Sequence, residues 1–528
     1  MPAFRALARR SFADGRVRNL SFAALFAVMA LIQAVGYEHS YPTLAERQQF
    51  AASFGDNAAV RLFYGVPHDI VQVGGYVAWR VGGTFAIFAA VWGVFAAVRA
   101  MRAEEDSGRQ ELVLAAPVGR RSVFRAQLAG VLAGAALLWA ATLLGLVAAG
   151  VAAGPSAFLA LAIVSVAVVF TGVGALASQL GPTRRLALGA GMVVFAFALV
   201  LRIVADTAGA LEWLRWATPL GWAEEMRAFT GARPLVLLLP AASALALLYA
   251  AARIAARRDV GTGVFSSGDR AAPRLHLLSG PTALALRGEC GTLIGWLVGI
   301  GLYAVVVGLL ADTFSTENVS RSLREQLHRV GGASIVTPTG ALGFYFLMFT
   351  FAISLFACAQ VSAARHGEAE SRLETLFALP VSRRAWLAGR LALAAAAALV
   401  LALVAALLAW AAAESQGSDV DLGGLLEAGL NCMPAALLFL GVSALVFAVA
   451  PRATAAVAYG LVSVAFCWYL FGALLGVPAW TLDLSPFQHV ALVPAQSFKL
   501  GEALIMVAIG VAAGAGSILA FRRRDLAT

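Results

Sequence analysis

Two stretches decide how this chain is read: "RAEEDSGRQELVLAAPVGRR" at residues 102–121 and "RHGEAESRLETLFALPVSRR" at residues 365–384. They align without gaps at an offset of 263 residues, and nine of the twenty positions are identical. Arg102/Arg365, Glu105/Glu368, Arg109/Arg372, Glu111/Glu374, Pro117/Pro380, Arg120/Arg383 and Arg121/Arg384 are among the matches. A chain made mostly of Ala, Leu, Val and Gly does not repeat so many charges and prolines by chance, so the stretches mark an internal duplication.

Further landmarks repeat in the same order. "FTGVGAL" (170–176) matches "FLGVSAL" (439–445), "WLRWATP" (213–219) matches "WTLDLSP" (480–486), and "RRD" recurs at 257–259 and 523–525. The organisation expected is a first half over 1–256, a linker with an interfacial helix over 257–288, and a second half over 289–528.

The 528 residues are 61% hydrophobic and 13% charged, with a mean hydropathy of +0.82. A soluble chain carries roughly twice that charge fraction. Apolar runs of about 20 residues, each long enough to cross ~30 Å of hydrocarbon as a helix, recur throughout. Strands of a membrane barrel would instead alternate over about 10 residues. The fold class is therefore an all-α polytopic membrane protein. Twelve spans are expected near 20–37, 78–99, 128–152, 156–178, 186–204, 234–254, 291–311, 341–362, 389–412, 429–449, 454–476 and 503–521. Six spans per half make the repeats parallel. The first span lacks a small-residue cleavage site and opens a repeat, so it is read as a span and not a signal peptide.

Basic residues set the orientation. With both termini inside, 28 arginines face 12 acids on the inner side, and 11 basic residues face 17 acids on the outer side. Both termini are thus expected in the cytoplasm. The basic balance reflects topology and anionic lipid, and gives no reason to invoke nucleic acid. The arms before spans one and seven suit short interfacial helices, or ordinary positive flanks. Cys290, Cys358, Cys432 and Cys467 have no metal-like spacing and read as small apolar packing residues.

The twin stretches follow the second span of each half. Arg102, Glu105 and Arg109 are spaced for i,i+3 and i,i+4 pairs along one helix, as are Arg365, Glu368 and Arg372. Leu112, Val113 and Leu114, or Leu376 and Phe377, form an apolar knob before a helix-stopping proline. A solvated charged face explains the arginines. A helix that docks in a partner's groove also explains the paired glutamates and their retention in both halves.

That partner must bring any energy. The single lysine, Lys499, follows no Gly-rich loop, so no G-x-x-x-x-G-K-[ST] phosphate loop exists here. Neither zinc-protease motifs, Cys/His clusters nor a nucleophile elbow occur. No acidic residue falls near a span centre, where ion-coupled carriers keep relays. Arg80, Arg202 and Glu427 lie near span ends, where a charge costs little.

At these motifs, and at "TPLGWAEEMRAF" and "SPFQHVALVPA", the chain resembles ABC exporter permeases of the type-2 class, in the fused twelve-span form of actinobacteria that exports polyketide antibiotics. The resemblance implies a bacterial plasma-membrane permease with no chemistry of its own. It implies two copies of a separate ATPase carrying ATP and Mg, a hydrophobic or amphiphilic substrate, and coupling helices at the twin loops. Glu105, Arg109 and Glu111 would serve one ATPase, and Glu368, Arg372 and Glu374 the other. The segments 206–233 and 477–500 match re-entrant helices closing the exit, with Trp213, Pro219, Trp222, Trp480, Pro486, Phe487 and His489 as gate candidates. An aromatic belt is the plainer account of those residues.

Phe85, Phe88, Trp92 and Phe95 recur at spacings of 3, 4 and 3 and read as one helical stripe. Their counterparts begin Met348 and Phe351. Packing or lipid contact is the commoner use of such a stripe; a substrate pathway is the other. An ion-coupled secondary transporter is the alternative to the ATP-driven reading.

Overall fold

The computed structural model describes residues 2–54, 61, 64–207, 209–259, 263–264, 280–309, 311, 338–369, 372–418, 420–472 and 479–525. No strand occurs among the described residues. The chain divides into two units, Met1–Ala271 and Ala272–Thr528. The division falls inside the stretch 257–288, much of which lies outside the described residues.

In the first unit the helices are α1 (Pro2–Asp14), α2 (Arg16–Ser40), α3 (Leu44–Phe54), α4 (Val73–Ala100), α5 (Arg102–Asp106), α6 (Arg109–Leu114), α7 (Arg120–Ala148), α8 (Ala153–Leu180), α9 (Arg184–Thr207), α10 (Pro219–Glu225) and α11 (Leu238–Ala255). In the second they are α12 (Pro281–Leu309), α13 (Pro338–Ala369), α14 (Arg372–Phe377), α15 (Arg383–Glu414), α16 (Leu422–Leu430), α17 (Met433–Val449), α18 (Thr454–Gly472), α19 (Ala479–Leu482) and α20 (Leu500–Arg523). Eleven helical stretches among the described residues are long and apolar enough to cross a membrane. The expected span at 454–476 corresponds to α18, and its far end lies outside the described residues. The chain is an all-α, multi-pass membrane protein.

Small residues set how closely the helices approach, because lipid supplies no hydrophobic drive and packing must do the work. At Gly93 of α4, a Cβ would run into the Ala167 carbonyl of α8, and at Gly174 of α8 into the Val94 carbonyl of α4. In the second unit, Gly441 of α17 and Gly510 of α20 each face the other helix's backbone. The repeated "FTGVGAL" and "FLGVSAL" segments thus supply the close contacts of α8 and α17. Between the spans, Tyr37, Tyr41, Phe50, Tyr76 and Trp79 pack together at one end of the first unit, with Tyr37 stacked on Tyr76 at 3.9 Å.

Candidate functional site

The twin loops build the same junction in each unit. α4 runs on into α5, and Gly108, at φ +73°, then turns the chain into α6. Only a residue without a Cβ takes that left-handed turn cheaply. Arg102, 1% exposed, donates to Glu105 Oε2 (2.8 Å), Asp106 Oδ1 (2.9 Å) and the Pro182 carbonyl. The other Asp106 oxygen accepts from the Arg184 amide that opens α9 (2.7 Å). The second oxygen of Glu105 accepts from Arg258, the middle residue of the first "RRD" (2.6 Å). Arg258 also meets Gln179 of α8, and its carbonyl accepts from Arg120 (2.6 Å).

The second unit repeats the arrangement. Glu368 pairs with Arg524, the middle residue of the second "RRD", and with Arg365 at 3.5 Å. Arg383 donates to the Arg524 carbonyl (2.6 Å). Each loop is therefore fastened to the end of its unit's last span by a buried carboxylate–guanidinium pair. Removing one partner of such a pair costs about 3–5 kcal/mol, because the other is left as an uncompensated charge.

These contacts change the assignment of the glutamates. Glu105 is 8% exposed and Glu368 2% exposed. Both pair inside their own unit, and in the structure neither presents its carboxylate to an outside partner. The i,i+4 pair expected between Glu105 and Arg109 does not form, because Gly108 breaks the helix between them. Arg109 instead pairs with Glu104 (2.6 Å). Of the residues expected to face a partner in the first loop, Arg109, Glu111 and Leu112 are exposed, the last at 76%. In the second, Arg372, Glu374 and Leu379 are exposed. Phe377 of the expected apolar knob turns inward instead, against Trp386 (5.8 Å) and Phe521 (6.3 Å).

The aromatic stripe of α4 divides in two. Phe85 stacks on Phe26 of α2 at 4.3 Å, and Trp92 is fully buried. Phe88 and Phe95 are exposed. The four rings are therefore not one wall. In the second unit Phe351 stacks on Phe466 (4.3 Å), inside that unit's core. Met348 is half-buried and lines an apolar groove of about 480 Å³ with Trp296, Gly299, Tyr303 and Phe349, between α12 and α13.

The segments 206–233 and 477–500 hold the other candidates. Pro219 opens α10 behind Thr218, whose Oγ1 accepts from the Gly221 amide (3.0 Å). Trp222 donates to the Trp216 carbonyl (2.6 Å), while Trp213 and Trp480 are exposed. Exposed rings of this kind suit an interfacial belt. In the second unit Pro486 opens a short 3-10 turn. Next to it Phe487 is fully buried among Phe351, Phe439 and Phe466. His489 bridges Glu502 (2.8 Å) and the Asp483 carbonyl (2.8 Å).

A buried ionic network lies at the end of the first unit opposite its twin loop, where the sequence reading expected only cheap, exposed charge. Arg202, expected to lie where charge is cheap, is 1% exposed and pairs with Asp206 (2.7 Å) and Glu224 (2.6 Å). Asp206 also binds Arg215 (2.7 Å), and Glu225 gathers Arg227 (3.2 Å) and Arg233 (2.8 Å). Partners, not water, hold these charges. Burial pushes the Glu224 carboxyl up to about 8, against the pull of Arg202. His68, lining a small cavity with Glu224, is lowered by burial and by Arg227. The i,i+4 spacing of Arg202 and Asp206 was the available signal. No cluster of metal-ligating side chains occurs among the described residues.

Comparison with known proteins brings two results. The profile of the family described as "Multidrug efflux system permease Rv1217c, C-terminal domain" matches residues 45–253 and 278–522. The multidrug efflux system permease protein Rv1217c of Mycobacterium tuberculosis (strain ATCC 25618 / H37Rv) is 33% identical over 509 residues, covering 94% of this chain and 90% of that protein.

Proposed function

The chain belongs to the family of the multidrug efflux system permease Rv1217c, and from that membership we propose that it is the permease of an ATP-driven ABC exporter of the type-2 class. Two copies of a separate ATPase, carrying ATP and Mg, dock on the cytoplasmic loops after spans two and eight. Their cycle moves hydrophobic or amphiphilic compounds outward across a bacterial plasma membrane, polyketide antibiotics among them. Both termini lie in the cytoplasm, in keeping with the distribution of arginine. The two halves arose by tandem duplication.

One observation carries this reading. Each twin loop is fastened from behind by a buried ion pair and presents an outward face with one bare leucine, Leu112 or Leu379. A loop fixed in that way moves with its bundle, so a push on it reaches the spans. The docking residues are then Arg109, Glu111 and Leu112 on one side and Arg372, Glu374 and Leu379 on the other. Glu105 and Glu368 are positioning residues.

The test is co-purification with a co-expressed candidate ABC ATPase, together with ATP hydrolysis and drug efflux. Leu112→Asp with Leu379→Asp should abolish co-purification and efflux while leaving the permease's own melting temperature unchanged. Full efflux in that double variant would refute the docking faces. Ion-coupled transport is the second reading, and the ionisable pair Arg202–Glu224 favours it. Efflux that collapses with an uncoupler while ATP persists would select it.

A further inference from the structure

The first unit holds a cavity of about 370 Å³ between α1, the start of α2, the end of α4 and the first twin loop. Five arginines line it (Arg10, Arg18, Arg99, Arg109 and Arg184) against two acids, Asp14 and Glu104. Glu104 is committed to Arg109 at 2.6 Å, and Asp14 lies 3.8 Å from Arg10. Arg18 reaches only the amide oxygen of its neighbour Asn19, at 3.4 Å, and Arg99 lies close enough to repel it. Among the described residues neither Arg99 nor the Arg184 side chain has an acidic partner. Leu7, Val113, Val123 and Val131 supply an apolar floor.

Like charges gathered in a cleft repel one another, and an anion between them removes that cost. Guanidinium groups match phosphate oxygens in geometry and are weakly hydrated enough to give up water for them. The second unit lacks the excess charge. At the 263-residue offset Ser362 stands for Arg99, and Arg390 stands for Gln127 of the cavity wall; Arg390 is neutralised by Glu289 of α12 at 3.1 Å. Among the described residues the second unit therefore shows no matching set of arginines at these positions.

We propose that this cavity binds a phosphate group, and that its source is the headgroup of an anionic phospholipid of the inner leaflet. Arg18 and Arg99 hold the phosphate, and the valine floor takes the first carbons of the acyl chains. The site lies beside the first twin loop, so lipid bound there braces α1 and α2 against the element to which the ATPase docks. The lipid source rests on the cytoplasmic orientation proposed above; binding of phosphate itself does not.

The test uses the purified full chain in neutral detergent, without an ATPase. Phosphatidylglycerol, phosphatidylcholine and inorganic phosphate are added separately, and bound lipids are counted by native mass spectrometry alongside the melting temperature. Phosphatidylglycerol should bind and raise the melting temperature, and phosphatidylcholine should not. Arg18→Gln with Arg99→Gln should remove one bound phosphatidylglycerol and weaken binding by about tenfold or more per guanidinium lost. Arg121→Gln, which removes an exposed charge outside the cavity, should leave both readings intact. An equal shift with inorganic phosphate assigns the source to the free anion and keeps the phosphate site. Unchanged phosphatidylglycerol binding in the double variant overturns the proposal. Labelling of Ala3→Cys from either side of sealed vesicles reports orientation separately, so failure of that reading is not mistaken for failure of the site.

Discussion

Glu105 joins three elements, and its replacement by Gln tests the junction directly. The substitution keeps the shape but removes the charge that Arg102 and Arg258 share at 2.8 and 2.6 Å. Each charge-assisted bond is worth about 1.5–3 kcal/mol. Both arginines keep a second partner, Asp106 at 2.9 Å and Gln179 at 3.0 Å, so the expected loss is about 3 kcal/mol and not the upper end for a broken buried pair. That loss is local and unlatches the loop before it unfolds the bundle. Amide hydrogen exchange read on peptides covering 102–121 and 248–259 should therefore quicken roughly a hundredfold. Arg258→Gln alone should cost about as much, and the two together less than their sum by about 1.5 kcal/mol or more. Glu368→Gln and Arg524→Gln should repeat the pattern in the second unit. Exchange over 102–121 that matches the wild type, or strict additivity of the two substitutions, would refute the argument.

Phe85→Ala should lower stability by about 3–5 kcal/mol, as removal of a buried ring does, whereas Phe88→Ala should change it little; thermal melts in one detergent compare them, and equal costs would restore the single-stripe reading. Gly441→Leu should cost about 3 kcal/mol or more, or prevent folding, because α17 meets the backbone of α20 there; yield and monodispersity on gel filtration report it. Since the folded Glu224 titrates near 8 and the unfolded carboxyl lower, the folded chain holds the extra proton between those values, and stability falls as pH rises through that window. Glu224→Gln should flatten this slope, so the wild-type melting temperature should drop relative to the variant between pH 6 and pH 8.5; parallel curves would show that the carboxyl does not titrate there.

Helix content, the placement of eleven spans among the described residues, and the twin loops were legible in the sequence, because apolar length and gapless repetition are local signals. The use of Glu105 was not. Its partner lies 153 residues away, and the analogous separation for Glu368 and Arg524 is 156. Both "RRD" segments had been recognised as repeats, but nothing local says that two repeated charges meet. The break at Gly108 was readable as a glycine, yet the i,i+4 template ran through it. The stripe of α4 failed for a geometric reason. At ~100° per residue, Phe85 and Trp92 fall within about 20° of each other, as do Phe88 and Phe95, but the two pairs stand about 60° apart. That angle is enough to bury one pair and expose the other. The ionic network at Arg202 stayed hidden because a charge near a span end has two outlets, water or a partner, and sequence does not choose between them.

The two fastenings have an evolutionary consequence. Each lies wholly within one half, so neither loop depends on the other half, or on the covalent link, for its conformation. Substitutions inside one half can then accumulate while the loop of either half stays fastened. At the 263-residue offset Phe85 stands opposite Met348, and Trp92 opposite Leu355. A chain divided between Val264 and Gly280 into two polypeptides would carry both fastenings intact, one in each piece.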